Sequence, residues 1–117
     1  MRGNLGDKIR IKHILDAISE IELYVSEVDF DSFINDSKTR FASIKQIEII
    51  GEAANHISEE SKNKFSEIEW VKITGLRHIL VHEYFGVDIN IIWGIIIMDI
   101  PKLKIAVKKV LDILENN

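Results

Sequence analysis

Apolar and polar residues alternate along this chain with the period of helices, and no stretch alternates residue by residue for long enough to suggest a strand. The first helix is expected from about Asp7 to Glu27. Along it Ile11, Ile14, Ile18, Ile21, Val25 and Val28 recur at spacings of three and four and form one continuous seam. "VDFDSFIN" follows, with Asp29 placed to cap a short helical turn. "NDSKT" reads as a loop into a second long helix, from about Ser37 to Glu60, buried along Phe41, Ile44, Ile47, Ile50, Ala54 and Ile57. "SEIE", Ser66 to Glu69, has capping-box spacing just ahead of Trp70 and starts a third main helix that runs to about Phe85. Gly86 takes the position after that helix, and Asp88 caps the next one.

The segment from Asp88 to about Ile100 is apolar nearly all round. Such a helix is buried on more than one side, and in a chain this small the second side is expected to be another subunit. Pro101 restarts or kinks the chain, after which Leu103, Val107, Val110 and Leu114 give a last amphipathic helix. There is no internal repeat and no linker-like tract. The expected architecture is therefore all-α: one domain over residues 1–117, an up-and-down bundle of about four to five main helices joined by short loops.

Composition narrows the class. The chain has 117 residues, 46% apolar and 29% charged, which suits a soluble globular protein with one core rather than a disordered one. Absence of cysteine removes disulfide frameworks and thiolate metal sites and fits a reducing compartment such as the cytoplasm. "MRGNLGDKIR" lacks the apolar core of a signal peptide, and the longest apolar run, "IIWGIIIM", falls far short of the ~20 residues that span a bilayer. No membrane association is expected. A net charge of −4 argues against a broad surface that tracks nucleic-acid phosphates, but it leaves room for a small local site for one phosphate.

Candidate chemistry lies in "GLRHILVHEYFGVD", residues 75–88. At about 100° per residue, Ile73, Leu76 and Leu80 form the core stripe, while Arg77 and Tyr84, seven apart, fall within about 20° of each other beside it. His82 lies about 140° round from Arg77, so the two meet only in a cleft between helices or subunits that a long Arg side chain can reach. His78 and His82 share a face. An Arg fork matches a phosphate, a His moves protons near neutral pH, and a Tyr adds a hydroxyl and a ring. Together they suit phosphodiester cleavage by an internal nucleophile, the 2′-OH that RNA has and DNA lacks, with no metal required. By spacing alone, such residues are more often a solvated or salt-bridged face.

Glu48, Glu52 and His56 also repeat every four residues along one helix face. With His78 and His82 they would suggest a metal site. The di-iron pattern, however, needs Glu-x-x-His twice, and no metal or other cofactor is expected. The simpler expectation is that Glu48 or Glu52 pairs with a cation such as Arg77. Lys102, Lys104, Lys108 and Lys109 read as a solvated face, having no aromatic residues among them.

Almost the whole chain resembles the HepT-like toxin family of the HEPN superfamily. "RIKHILDAISEIELY" is similar to the family's opening helix, "IKQIEIIGEAANHISEE" to its second long helix, and "EIEWVKITGLRHILVHEYFGVDINIIWGIIIMDIPKL" to its signature region. The family's Arg-x4-His-x-Tyr motif falls on Arg77, His82 and Tyr84. The resemblance implies an all-helical, HEPN-like homodimer in which the motifs of two subunits line a shared cleft. It also implies a metal-independent endoribonuclease, the toxin of a toxin–antitoxin pair, with Arg77 and His82 catalytic. Its partner would be a nucleotidyltransferase antitoxin of the MntA type that transfers AMP from ATP to Tyr84. The chain departs from the family at His78, where Asn or Asp is frequent, and at Lys45 and Gln46, where many relatives have Arg and Asn. His78 and Glu52 are carried as supporting residues. The alternative from a different class is a non-catalytic helical module that binds a nucleotide or scaffolds the nucleotidyltransferase.

Overall fold

The computed structural model describes residues 2–82 and 88–116, with side chains described at 5–77 and 88–116. Helix α1 spans Arg2–Val25, α2 Phe30–Asn35, α3 Ser37–Asn55, α4 Glu59–Lys64 and α5 Trp70–His82. After the undescribed stretch come α6, Ile89–Gly94, a π-helical turn at Ile95–Asp99, and α7, Ile100–Glu115. The chain forms the all-α, HEPN-like bundle expected of it. Among the described residues no strand occurs, and no helix is long and apolar enough to cross a membrane.

Helix α1 lies between α3 and α7, and α3 carries α5 on its other side. The α1 seam is buried as expected at Ile11, Ile14, Ile18 and Ile21, against Ile47, Ile50 and Ala54 of α3 and Val107, Val110 and Leu114 of α7. Each fully buried Ile contributes about 1.5–3 kcal/mol. Phe33 anchors α2 in this core, and Trp93 of α6 tilts against it with ring centroids 4.9 Å apart.

Caps account for several helix boundaries. Asp29 accepts from the Ser32 N–H at 2.8 Å, and that backbone bond holds its carboxyl below the usual range. Asp36 accepts from the Thr39 hydroxyl and then its N–H, with the same effect. Asp88 caps α6 by accepting from the Asn90 N–H at 2.8 Å. Glu27, just past α1, has φ of 61°, the left-handed conformation that ends many helices.

Three expectations need correction. Helix α1 starts earlier than Asp7 and ends at Val25. The second long helix stops at Asn55 rather than near Glu60, because the buried carboxylate of Asp7 takes the Ser58 N–H at 2.9 Å and its hydroxyl at 2.6 Å, and also accepts from Ser61. Ser58 thereby becomes the cap of a separate helix, α4. Phe41 is exposed, with the Arg40 guanidinium over its ring, because the buried line of α3 begins at Ser43. At Pro101 the expected restart is found, as the start of α7. Lacking an N–H, the proline sits in the first turn of α7, and the preceding turn widens so that Ile100 N–H donates to the Ile95 carbonyl. The expected end of the third helix at Phe85 and the role of Gly86 lie outside the described residues.

Candidate functional site

Helices α3 and α5 approach closely at Gly51. A Cβ placed there would lie 2.9 Å from the Cβ of Arg77, 3.1 Å from its backbone nitrogen and 3.2 Å from the Ile73 carbonyl. Glycine is therefore what lets the stem of Arg77 lie against α3. The next residue on α3, Glu52, then reaches it: Glu52 Oε2 and Arg77 Nη1 are 2.6 Å apart. The other oxygen, Oε1, meets His56 Nε2 at 3.0 Å, one turn further along α3. All three side chains are about half exposed, at 44% for Arg77, 50% for Glu52 and 49% for His56.

Solvent screens a pair of this exposure, so it contributes little to stability, about 0.2–1 kcal/mol. What it does is place one guanidinium at the surface in a defined orientation. The guanidinium has five N–H donors, and with 44% of the side chain exposed it remains open to an anion from solvent. An anion binder with a fixed fork is the chemistry this arrangement offers.

The remaining sequence candidates fall as follows. His82 is the last residue of α5, so Arg77 and His82 share one unbroken helix, about 7.5 Å apart along its axis. His78 lies on the same helix, and the side chains of both histidines are outside the described residues, as is Tyr84 altogether. Glu48 turns to Lys45 at 3.7 Å rather than to Arg77. The repeat of Glu48, Glu52 and His56 therefore does not converge on a point, and among the described residues no group of three His, Asp or Glu is placed to hold a metal. Lys104 is held by Glu22 of α1 at 2.9 Å.

A separate groove between α5 and α7 has an apolar floor of Ile73, Leu76, Ile100 and Leu103. Among the described residues Leu76 lines it and Arg77 does not. Periodicity passed over two features of the site itself. One is the steric demand at Gly51, signalled only by a small residue inside "IIGEAA". The other is the contact of His56 with Glu52, whose signal was the four-residue spacing on α3; the pairing of Glu52 with Arg77 was one of the two expected.

Comparison with known proteins adds the following. A family model described as "Ribonuclease HepT-like" matches residues 14–110. The chain is 42% identical over 94 residues to "Probable ribonuclease HepT" of Thermococcus cleftensis, covering 80% of this chain and 86% of that one. It is 38% identical over 91 residues to "Putative RNase MJ1380" of Methanocaldococcus jannaschii, covering 78% and 84%. A third relative, from the same archaeon, is "Gamma-glutamylcyclotransferase and putative RNase MJ0434". It is 38% identical over 110 residues, which cover 94% of this chain but only 50% of the longer relative. No solved structure matches.

Proposed function

Because this chain belongs to the HepT-like ribonuclease family, we propose that it is a metal-independent endoribonuclease working through Arg77 and His82. In this reading the RNA 2′-oxygen attacks the adjacent phosphorus and the bond to the 5′-oxygen breaks, leaving a cyclic phosphate and a free 5′-hydroxyl. His82 moves the proton, taking it from the 2′-OH or giving it to the leaving oxygen. Arg77 stabilises the charge that develops on the phosphoryl oxygens. The observation that carries the reading is Arg77 itself, fixed at the surface by Glu52 on the helix that continues to His82.

The same reading makes the protein a cytoplasmic toxin, active as a homodimer whose two motifs share a cleft. A nucleotidyltransferase antitoxin of the MntA type holds it in check by attaching AMP to Tyr84. AMP beside Arg77 and His82 would occupy the position of an RNA phosphate and base. The test is His82→Ala: the purified variant is expected to remain a folded dimer and lose RNA cleavage and toxicity. Cleavage at the wild-type rate would sink the mechanism. Co-expression with a neighbouring nucleotidyltransferase and ATP, read by intact mass, is expected to add one or more AMP units at Tyr84. Binding of the two proteins without AMP transfer and without nuclease activity would instead support a scaffolding role.

A further inference from the structure

We infer that Glu52, held in turn by His56, is the positioning residue of Arg77, so that the catalytic apparatus extends beyond the signature helix onto α3. This rests on the ribonuclease reading above. An exposed arginine explores many rotamers, and ordering it at the moment of reaction costs entropy. In this chain part of that ordering is done in advance. Glu52 Oε2 pairs with Nη1 at 2.6 Å and Glu52 Oε1 meets His56 Nε2 at 3.0 Å, so both carboxylate oxygens have partners that favour this one arrangement. Gly51 brings the two helix backbones close enough for this contact to form.

Two further facts favour positioning over simple charge pairing. The pair is an ion pair at the rim of α5, with Nη1 and Oε2 2.6 Å apart and Arg77 still 44% exposed, so Glu52 can bias the fork while leaving it open to solvent. The pair also lies at the surface rather than in the core, where stability would be at stake. The other charged pair on this stretch of α3, Lys45 with Glu48, is made separately and does not compete for Arg77.

A positioning role and a competing role make opposite kinetic predictions. An orienting carboxylate acts in the transition state, so its loss lowers kcat. Its loss also removes an anion beside Arg77, so RNA is held no more weakly and KM stays level or falls. The experiment measures kcat and KM for RNA cleavage by wild type, Glu52→Gln, Glu52→Ala, His56→Ala and Arg77→Ala, with thermal midpoints alongside. Glu52→Ala is expected to lower kcat by about tenfold to a hundredfold, the scale of a misplaced catalytic group, with KM unchanged or lower. Glu52→Gln, which keeps the acceptor oxygen, is expected to recover part of that loss, and His56→Ala to show a smaller loss in kcat.

If Glu52→Ala keeps the wild-type kcat, or raises it, while Arg77→Ala is inactive, the positioning role is overturned and the ribonuclease reading stands. If Arg77→Ala cuts RNA as wild type does, or the wild-type chain cuts none, the reading of the site is overturned and this inference with it.

Discussion

At Ser43 the buried line of α3 carries a hydroxyl that is fully enclosed and has no hydrogen-bond partner. An unsatisfied buried hydroxyl costs about 1–3 kcal/mol, and alanine is also the better helix former by a few tenths of a kcal/mol. The two side chains differ by one oxygen, so removing it opens almost no cavity. Ser43→Ala is therefore expected to stabilise the protein by about 1 kcal/mol, read as a higher urea midpoint with an unchanged slope. A lower midpoint would mean that the hydroxyl has a partner worth keeping. Ser43 also explains the misplacement of Phe41. The hydropathy pattern looks for a large apolar residue to begin the seam, whereas the buried line starts at a serine. At the candidate site, Arg77 is singled out because its residue type and its family motif agree. Glu52 was legible only as one of two acids able to reach it, since choosing between them requires knowing how α3 and α5 cross.

Among elements, the α3–α5 contact is the one that joins the fold to the proposed chemistry. The atoms a Cβ at Gly51 would meet are backbone atoms and the Arg77 Cβ, none of which can rotate away. Replacing this glycine recovers roughly 1 kcal/mol of helix propensity, but overpacking costs about 1–3 kcal/mol and grows with side-chain size. Gly51→Val is expected to destabilise by about 2 kcal/mol or more and to depress cleavage beyond what the loss of folded protein explains. Gly75 on α5 is the control, because a Cβ there meets nothing within 4 Å. Gly75→Ala is expected to stabilise by about 0.5–1 kcal/mol in the same denaturation assay. Equal effects at the two glycines would refute the packing argument. The other boundaries follow the same logic of what is local and what is not. The caps at Asp29 and Asp88 were readable because their partners lie two or three residues away. The break at Ser58 was not, since the carboxylate that causes it belongs to Asp7, 51 residues earlier. Pro101 was visible as a perturbation, but the surrounding helix absorbed it as one widened turn.

At the scale of the whole molecule, the apolar segment after Asp88 satisfies only part of its surface. Ile92, Ile95, Ile96 and Ile100 enter the core, while Ile91, Ile97 and Met98 are left 54%, 47% and 60% exposed. The chain is elongated, 46 × 29 × 20 Å, and net acidic, so nonspecific attraction to RNA does not offset a poorly built site. In the proposed homodimer a second subunit would cover this apolar face. The exposed face is the natural place to separate the proposed subunits without substituting Arg77, Glu52 or His82. Ile97→Glu combined with Met98→Glu would bury two unpaired carboxylates at such an interface, at a cost of several kcal/mol. The double variant is expected to keep its helical circular dichroism, weaken self-association by at least about a hundredfold in sedimentation equilibrium, and lose RNA cleavage in proportion to the dimer lost. A monomeric variant that cuts RNA at the wild-type rate would show that one chain holds a complete site, and the shared cleft would have to be abandoned.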